Sequence, residues 1–226
     1  MVVDYLFPIF CLGCGEEGSW VCSACLACLH APGVFFCPLC HEATLGGSLC
    51  ESCTGRSSLS CVLAVAPYSS KDLLSRAISI VKYEFAHTAR MVFDAGVHLF
   101  FREFKNVPPT ADVIVPVPLH PRRFAERGFN QAVFVAQALE NCTGMPVLHD
   151  ALRRHRYTKQ QTRLKKEKRN QNTQGAFSVF KNAGFVGKRV YLVDDVYTTG
   201  ATMQEAAHML RSAGAAEVFA FVLARG

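Results

Sequence analysis

Val-Tyr-Leu-Val-Asp-Asp-Val-Tyr-Thr-Thr-Gly-Ala-Thr, residues 190 to 202, decides the fold class and most of the chemistry. Four apolar or aromatic residues, Val190 to Val193, predict a buried strand. Asp194 and Asp195 end it, and Thr198, Thr199, Gly200, Ala201 and Thr202 turn the chain into a helix expected to reach Ser212. Such a turn suits an anion. N–H groups at a helix start lack intrahelical acceptors and carry the positive end of the dipole, and threonine hydroxyls add donors. Two carboxylates would repel a phosphate, so Asp194 and Asp195 suit the hydroxyls of a sugar attached to it. The pattern implies a ribose 5-phosphate as ligand. An ordinary strand, turn and helix with a threonine-rich cap would use the same residues without one.

Upstream, Cys61 to Pro67 reads as a strand, Lys71 to Tyr83 as an amphipathic helix, and Thr88 to Phe104 as a second helix. Asp112 to Val117 is the next strand and Phe129 to Leu139 the next helix. Arg189 to Val193 and Glu217 to Ala224 are strands flanking the helix from Ala201 to Ser212, which Gly214 closes at its C-terminal end. Strands alternating with helices predict an α/β fold with a doubly wound, mainly parallel sheet, whose ligands sit beyond the carboxyl ends of the strands. That rule brings the segment Pro116 to His120 to the same crevice as the acid pair. Pro116 and Pro118 have no N–H, leaving Val117, Leu119 and His120 as backbone donors. The prolines serve equally well to stiffen the chain after a strand. Arg122, Arg123 and Arg127 either contact phosphate or carry solvated charge.

Half of the 226 residues are hydrophobic, enough for one sizeable core and a small module. No stretch approaches the roughly 18 consecutive apolar residues of a membrane span, and Met1 to Tyr5 lacks a basic signal-peptide region, so membrane insertion is not expected and a cytoplasmic location is. Eleven cysteines therefore need an explanation other than disulfides. Eight form Cys-x-x-Cys pairs: Cys11 with Cys14, Cys22 with Cys25, Cys37 with Cys40, and Cys50 with Cys53. Such knuckles place two thiolates on one turn, and two knuckles complete a tetrahedron, so four predict two Zn2+ sites. Sequential and interleaved pairing both satisfy the spacing. Cys28 could stand in for Cys25, and His30 and His41 are weaker candidates expected at the surface. Cys61 and Cys142 read as small hydrophobes of the second domain.

The strand, acid pair and Thr-Gly turn at 190 to 202 resemble the phosphoribosyl-pyrophosphate motif of type I phosphoribosyltransferases. Three further motifs extend the likeness: Ala111 to Arg123 with Arg127-Gly-Phe-Asn-Gln131, Thr158-x-x-Gln161-x-x-Leu164, and Arg169-x-x-Asn172-x-x-Gly175-Ala-Phe177. With the cysteine-rich start, the chain resembles the ComF family, also called GntX-like proteins, over essentially its whole length. The resemblance implies a type I phosphoribosyltransferase-like domain at 61–226 behind a zinc-ribbon module at 1–56, joined by the polar stretch Thr54 to Ser60. It implies that Asp194 and Asp195 hold the ribose 2′- and 3′-hydroxyls, that Thr198 to Thr202 wrap the 5′-phosphate, and that Val117, Pro118, Leu119 and His120 form the pyrophosphate loop. Phosphoribosyl pyrophosphate with Mg2+ is then the ligand. Natural transformation, with handling of incoming single-stranded DNA and other competence proteins as partners, is the role the family suggests. An active phosphoribosyltransferase of nucleotide metabolism or salvage is the alternative, its catalysis mainly electrostatic, with Mg2+ and a closing basic loop stabilising the departing pyrophosphate.

Charge is distributed unevenly. Residues 153 to 169 hold nine Lys or Arg and one acid, Glu167, whereas the whole chain is only +6, so the remainder is net acidic. The first 60 residues hold one base, Arg56, against five acids, which makes the cysteine module a poor nucleic-acid binder. The basic stretch lacks the apolar repeat of a buried helix and predicts an exposed, mobile loop. Its position matches the loop that closes over diphosphate in type I phosphoribosyltransferases. Nine charges exceed what one diphosphate needs, and a polyanion would use them, with Arg127, Arg163, Lys165, Lys166, Lys168 and Arg169 as contacts. Tyr157 and Phe124 are candidates to stack on bases. A merely solvated loop would show the same composition.

Overall fold

Val, Leu, Phe and Ala fill the strands of the central sheet. The computed structural model describes residues 8–83, 87–156, 175–180 and 183–226. Its strands are β1 (Val34–Phe35), β2 (Cys61–Pro67), β3 (Val113–Pro116), β4 (Leu152–Arg154), β5 (Phe177–Val179), β6 (Arg189–Tyr197) and β7 (Glu217–Arg225). The helices are α1 (Ser23–Ala27), α2 (Leu73–Tyr83), α3 (Met91–Glu103), α4 (Pro121–Arg127), α5 (Gln131–Thr143) and α6 (Ala201–Ser212). Five strands form the main sheet in the order β1-β2-β7-β6-β3, and β4 and β5 form a separate pair. Strands β2, β7, β6 and β3 run parallel, and β1 joins the β2 edge antiparallel.

Because side chains alternate across a strand, each parallel strand feeds two cores. Leu63, Val65, Ile114, Tyr191, Val193, Phe219 and Phe221 face the helices α2, α3 and α5. Val62, Ala64, Val113, Val115, Val190, Leu192, Val218 and Ala220 face α6 and the β4–β5 pair. Helices thus cover both sheet faces, the doubly wound arrangement of a type I phosphoribosyltransferase-like domain, with a cysteine-rich segment in front.

The structure departs from the sequence reading at several points. Strand β6 does not stop at Val193. Its ladder with the nine-residue β7 continues through Asp194 opposite Val222, Val196 opposite Ala224 and Tyr197 opposite Arg225, so the acid pair lies inside the strand. Sequence reasoning did not find β1, although Phe36 beyond it is fully buried and the edge strand precedes the polar stretch at 54–60. Nor did it find α4, which Pro121 starts and Gly128 ends with φ +77°. Arg153 and Arg154, read as part of an exposed basic loop, pair instead with Ser178 and Phe177 in the β4–β5 hairpin, and Arg154 is buried. Among the described residues, no helix is long and apolar enough to cross a membrane.

Candidate functional site

Strands β3 and β6 are parallel neighbours, and their carboxyl ends lie side by side where the crevice is expected. Pro116 is level with Val193, and the Val117 N–H donates to the Val193 carbonyl at 2.9 Å. The segment Val117 to His120 therefore leaves the sheet beside Asp194. Asp194 is half-buried and Asp195 is 8% exposed. Each carboxylate takes a backbone N–H, Asp195 N to Asp194 Oδ1 at 2.9 Å and Val196 N to Asp195 Oδ1 at 2.8 Å, which fixes both side chains in the last residues of the strand before Tyr197.

Thr198 follows, exposed, then Thr199, Gly200, Ala201 and Thr202 enter α6. Gly200 is the N-cap with φ +76°, and it gives α6 no side-chain cap. A cap that leaves the first-turn N–H groups without its own oxygen leaves them to an outside acceptor. Glycine is needed at 200 for a second reason. A Cβ there would collide with the Tyr197 phenol ring, whose Cζ would lie 2.5 Å away.

Across the crevice, the Val117 N–H is committed to the sheet, contrary to the expectation that it is a ligand donor. Leu119 and His120 are the remaining backbone positions of that segment. The Asn130 side chain clamps the segment by donating to the Val117 carbonyl at 2.9 Å, and its Oδ1 caps α5 at Ala132 N. His120 caps α4, its Nδ1 accepting from Arg122 N at 3.1 Å. Arg127 donates to Gln131 Oε1 at 3.2 Å, and Arg122 pairs with Glu126 at 3.4 Å.

Arg154 is a residue that sequence reasoning missed. Its guanidinium lies over the Phe177 ring at 5.4 Å, and the residue as a whole is 8% exposed. Burial weakens its hold on the proton, nearby Arg123 adds to this, and the Asp194 carboxylate opposes it. The charges of Arg123 and Asp194 thus both reach the buried Arg154. Gly175 N–H donates to Glu205 Oε1 on α6 at 2.7 Å, and the β4–β5 pairing brings the chain on either side of residues 157–174 to this same end of α6. Arg163, Lys165, Lys166, Lys168 and Arg169, with Tyr157, lie outside the described residues.

The cysteines gather into two groups, Cys11, Cys14, Cys22 and Cys25, and Cys37, Cys40, Cys50 and Cys53. Within each, all four sulfurs lie within 4.8 Å of one another. Grouping is sequential, not interleaved. A tetrahedral ion with Zn–S bonds of about 2.3 Å requires sulfurs about 3.8 Å apart. Cys14 and Cys22 stand at 3.7 Å, and Cys40 and Cys50 at 3.6 Å. The donor sets fit a thiophilic divalent cation.

In each group the thiol that opens the first knuckle is brought down while others are pushed up. Burial opposes ionisation of Cys11, but N–H bonds from Cys14, Cys22 and Gly13 outweigh it and bring the thiol down to about 6. Cys37 is likewise brought down to about 6, against burial, by bonds from Cys50, Cys40 and Leu39. Cys25 is pushed up to about 12 by its sulfur neighbours Cys22 and Cys14, with burial adding to it. Thiolate character in a crowded sulfur cluster is what a cation would stabilise. Cys28 lies outside both groups and is exposed, His30 is exposed, and Cys61 is buried.

The two groups dock differently. Around the first, Val21, Leu29 and Ala31 join the core that also contains α2 and α3 residues, and Arg76 on α2 donates to the Leu12 carbonyl at 2.6 Å. The second lies against the β6–α6 turn. Tyr197 Oη donates to the Pro38 carbonyl at 2.8 Å, and Arg225 Nη2 to the His41 carbonyl at 2.8 Å.

Fold and crevice define a type I phosphoribosyltransferase-like protein, and the phosphoribosyl transferase domain family matches residues 90–226. Competence protein F of Haemophilus influenzae is 41% identical over 116 residues, 50% of this chain and 50% of that protein. Competence protein ComFC of Bacillus subtilis is 31% identical over 212 residues, 91% of this chain and 84% of that one. The DNA utilization protein YhgH of Salmonella typhi is 30% identical over 228 residues, 91% of this chain and 96% of that one. The chain belongs to the ComF family of proteins carrying this domain.

Proposed function

We propose that the protein binds phosphoribosyl pyrophosphate in the crevice between the β3 and β6 ends and handles incoming single-stranded DNA in the cytoplasm during natural transformation. The observation that carries the reading is the juxtaposition of two fixed carboxylates with an uncapped, glycine-started helix turn. In this reading Asp194 and Asp195 hold the ribose 2′- and 3′-hydroxyls, and Thr198, Thr199, Gly200, Ala201 and Thr202 receive the 5′-phosphate. Leu119 and His120 face the diphosphate from the other side, with Pro118 holding the bend. Bound Mg2+ would neutralise diphosphate charge. Arg154 suits the same anion, with Arg123 as a second cation whose charge reaches it, because a buried guanidinium is stabilised when a negative group lies beside it.

Zinc at each four-cysteine group would be structural, since four thiolates leave no open position. The transformation role rests on the names and extents of the competence relatives and on the excess of basic residues at 153–169.

Calorimetric titration with phosphoribosyl pyrophosphate and Mg2+, with and without single-stranded DNA, tests both halves. Saturable binding of the nucleotide precursor supports the crevice assignment, and its absence removes it. Replacing Lys165, Lys166, Lys168 and Arg169 by Gln should lower DNA affinity and flatten its salt dependence by about 0.7 in log–log slope for each phosphate no longer neutralised. DNA binding with the parent's affinity and slope would reject the nucleic-acid half. Pyrophosphate release in the presence of nucleobases would move the protein to the alternative, an active phosphoribosyltransferase.

A further inference from the structure

The second cysteine group is joined to the proposed phosphate turn by a short chain of contacts, one of them buried. Its first knuckle, Cys37-Pro38-Leu39-Cys40, contributes the Pro38 carbonyl. That oxygen accepts from Tyr197 Oη at 2.8 Å and from Gln204 Nε2 at 3.4 Å. Tyr197 is the last residue of β6 and is 1% exposed. Gln204 lies in the first turn of α6, where its N–H donates to the Gly200 carbonyl at 2.8 Å. Its side chain also receives the Ser57 hydroxyl on Oε1 at 3.1 Å, so it cannot swing away without breaking a second contact.

Packing reinforces these bonds. The Tyr197 ring meets Phe36 edge-on at 5.2 Å and His41 at 5.8 Å, both flanking the knuckle. Its phenol end fills the space where a Gly200 side chain would be. Arg225, opposite Tyr197 in the sheet, lies over the Phe36 ring at 4.2 Å while it donates to the His41 carbonyl. His41 follows the knuckle with φ +67°, a conformation uncommon for a residue with a Cβ. A knuckle that shifts must carry the Pro38 carbonyl with it. Tyr197 and Gly200 are then no longer held.

We propose that Tyr197 and Gln204 are positioning residues that make the second four-cysteine group part of the phosphate turn, so that metal at Cys37, Cys40, Cys50 and Cys53 and the shape of residues 198–202 depend on each other. The ligand half of the statement rests on the function proposed above. Dependence between two sites is reciprocal. A ligand that orders the turn must tighten metal binding at the second group, read as fewer freed thiols, and must leave the first group, docked on α2 and α3, unaffected.

The test uses full-length zinc-loaded protein and Tyr197→Phe, which keeps the ring packing and removes the shorter of the two hydrogen bonds to the Pro38 carbonyl. Gln204→Met serves as a second variant that keeps the helix. Metal loss is followed by site-resolved alkylation of the freed thiols, and turn order by amide hydrogen exchange. The expected result is alkylation of Cys37 to Cys53 about fivefold faster or more in Tyr197→Phe, with Cys11 to Cys25 unchanged and faster exchange across residues 198–204. Gln204→Met should shift both readouts in the same direction by less. Phosphoribosyl pyrophosphate should protect the second group in the parent and not in Tyr197→Phe. Unchanged alkylation of the second group in both variants, or equal acceleration at both groups, overturns the inference. If the parent shows no binding heat with phosphoribosyl pyrophosphate, the proposed function falls, and the alkylation and exchange comparison still decides the coupling.

Discussion

The two cysteine groups share a ligand set and nearly the same sulfur spacing, yet they occupy different positions in the folding logic of the molecule. The first holds a docked appendage: apolar residues around it pack on α2 and α3, and one arginine reaches its backbone. The second continues directly from β1 and Phe36, and its knuckle is bonded to the residue that ends β6. Chemistry alone does not say what a metal site stabilises. What the surrounding backbone is attached to does.

The largest expected difference comes from breaking each group in turn. Cys37→Ser removes a fully buried ligand whose neighbours belong to the core between the sheet and α6, so it should lower the melting temperature of the whole protein and abolish ligand binding. Cys14→Ser removes an exposed ligand of the docked group and should unfold residues around it while the sheet still melts cooperatively. Elemental analysis should show one zinc lost in each case. Equal melting temperatures for the two variants would erase the distinction.

Gly200→Ala should have the next largest effect. It places a Cβ against Tyr197 at a left-handed position, a combined strain of roughly 2–4 kcal/mol. Chemical denaturation should show that loss together with weakened phosphate-ligand binding, and a neutral result would mean the turn is looser than described.

A control far from the crevice should give the smallest change. Asp112 takes the Arg189 side chain and backbone N–H, the latter at 2.8 Å, and the Arg189 guanidinium holds its carboxyl below the usual range. A depressed carboxyl contributes stability above its unfolded value of about 3.9, and that contribution is lost as pH falls through the folded value. Asp112→Asn should therefore lower the melting temperature slightly at neutral pH and leave it unchanged at strongly acidic pH. Because both partners are solvent-exposed, a large effect would be unexpected.

Much of this arrangement was legible in the sequence because it is local. Cys61 to Pro67 and Ala201 to Ser212 have the bounds expected from periodicity and turn residues, and the cysteine knuckles announce themselves by spacing. Apart from α4, whose start at Pro121 and stop at Gly128 are local signals, the misses are non-local. A two-residue strand such as Val34–Phe35 has no period to read, and the partner that makes it a strand lies beyond both cysteine groups. Arg154 sits in a run of bases, and only its pairing with β5 turns it inward. Tyr197 looks like one more aromatic of the motif until its hydroxyl is found on Pro38, 159 residues earlier.

The central claim, that the β6–α6 turn with its acid pair is a phosphoribose site, is tested most directly by replacing Asp194 and Asp195 together with Asn. Asn keeps the side-chain oxygens that accept from the Asp195 and Val196 N–H groups, so the melting temperature should change little. Calorimetric titration with phosphoribosyl pyrophosphate and Mg2+ should then show binding in the parent and at least about a tenfold loss in the variant, the equivalent of roughly 1.4 kcal/mol. Parent-like affinity in the variant would contradict the account.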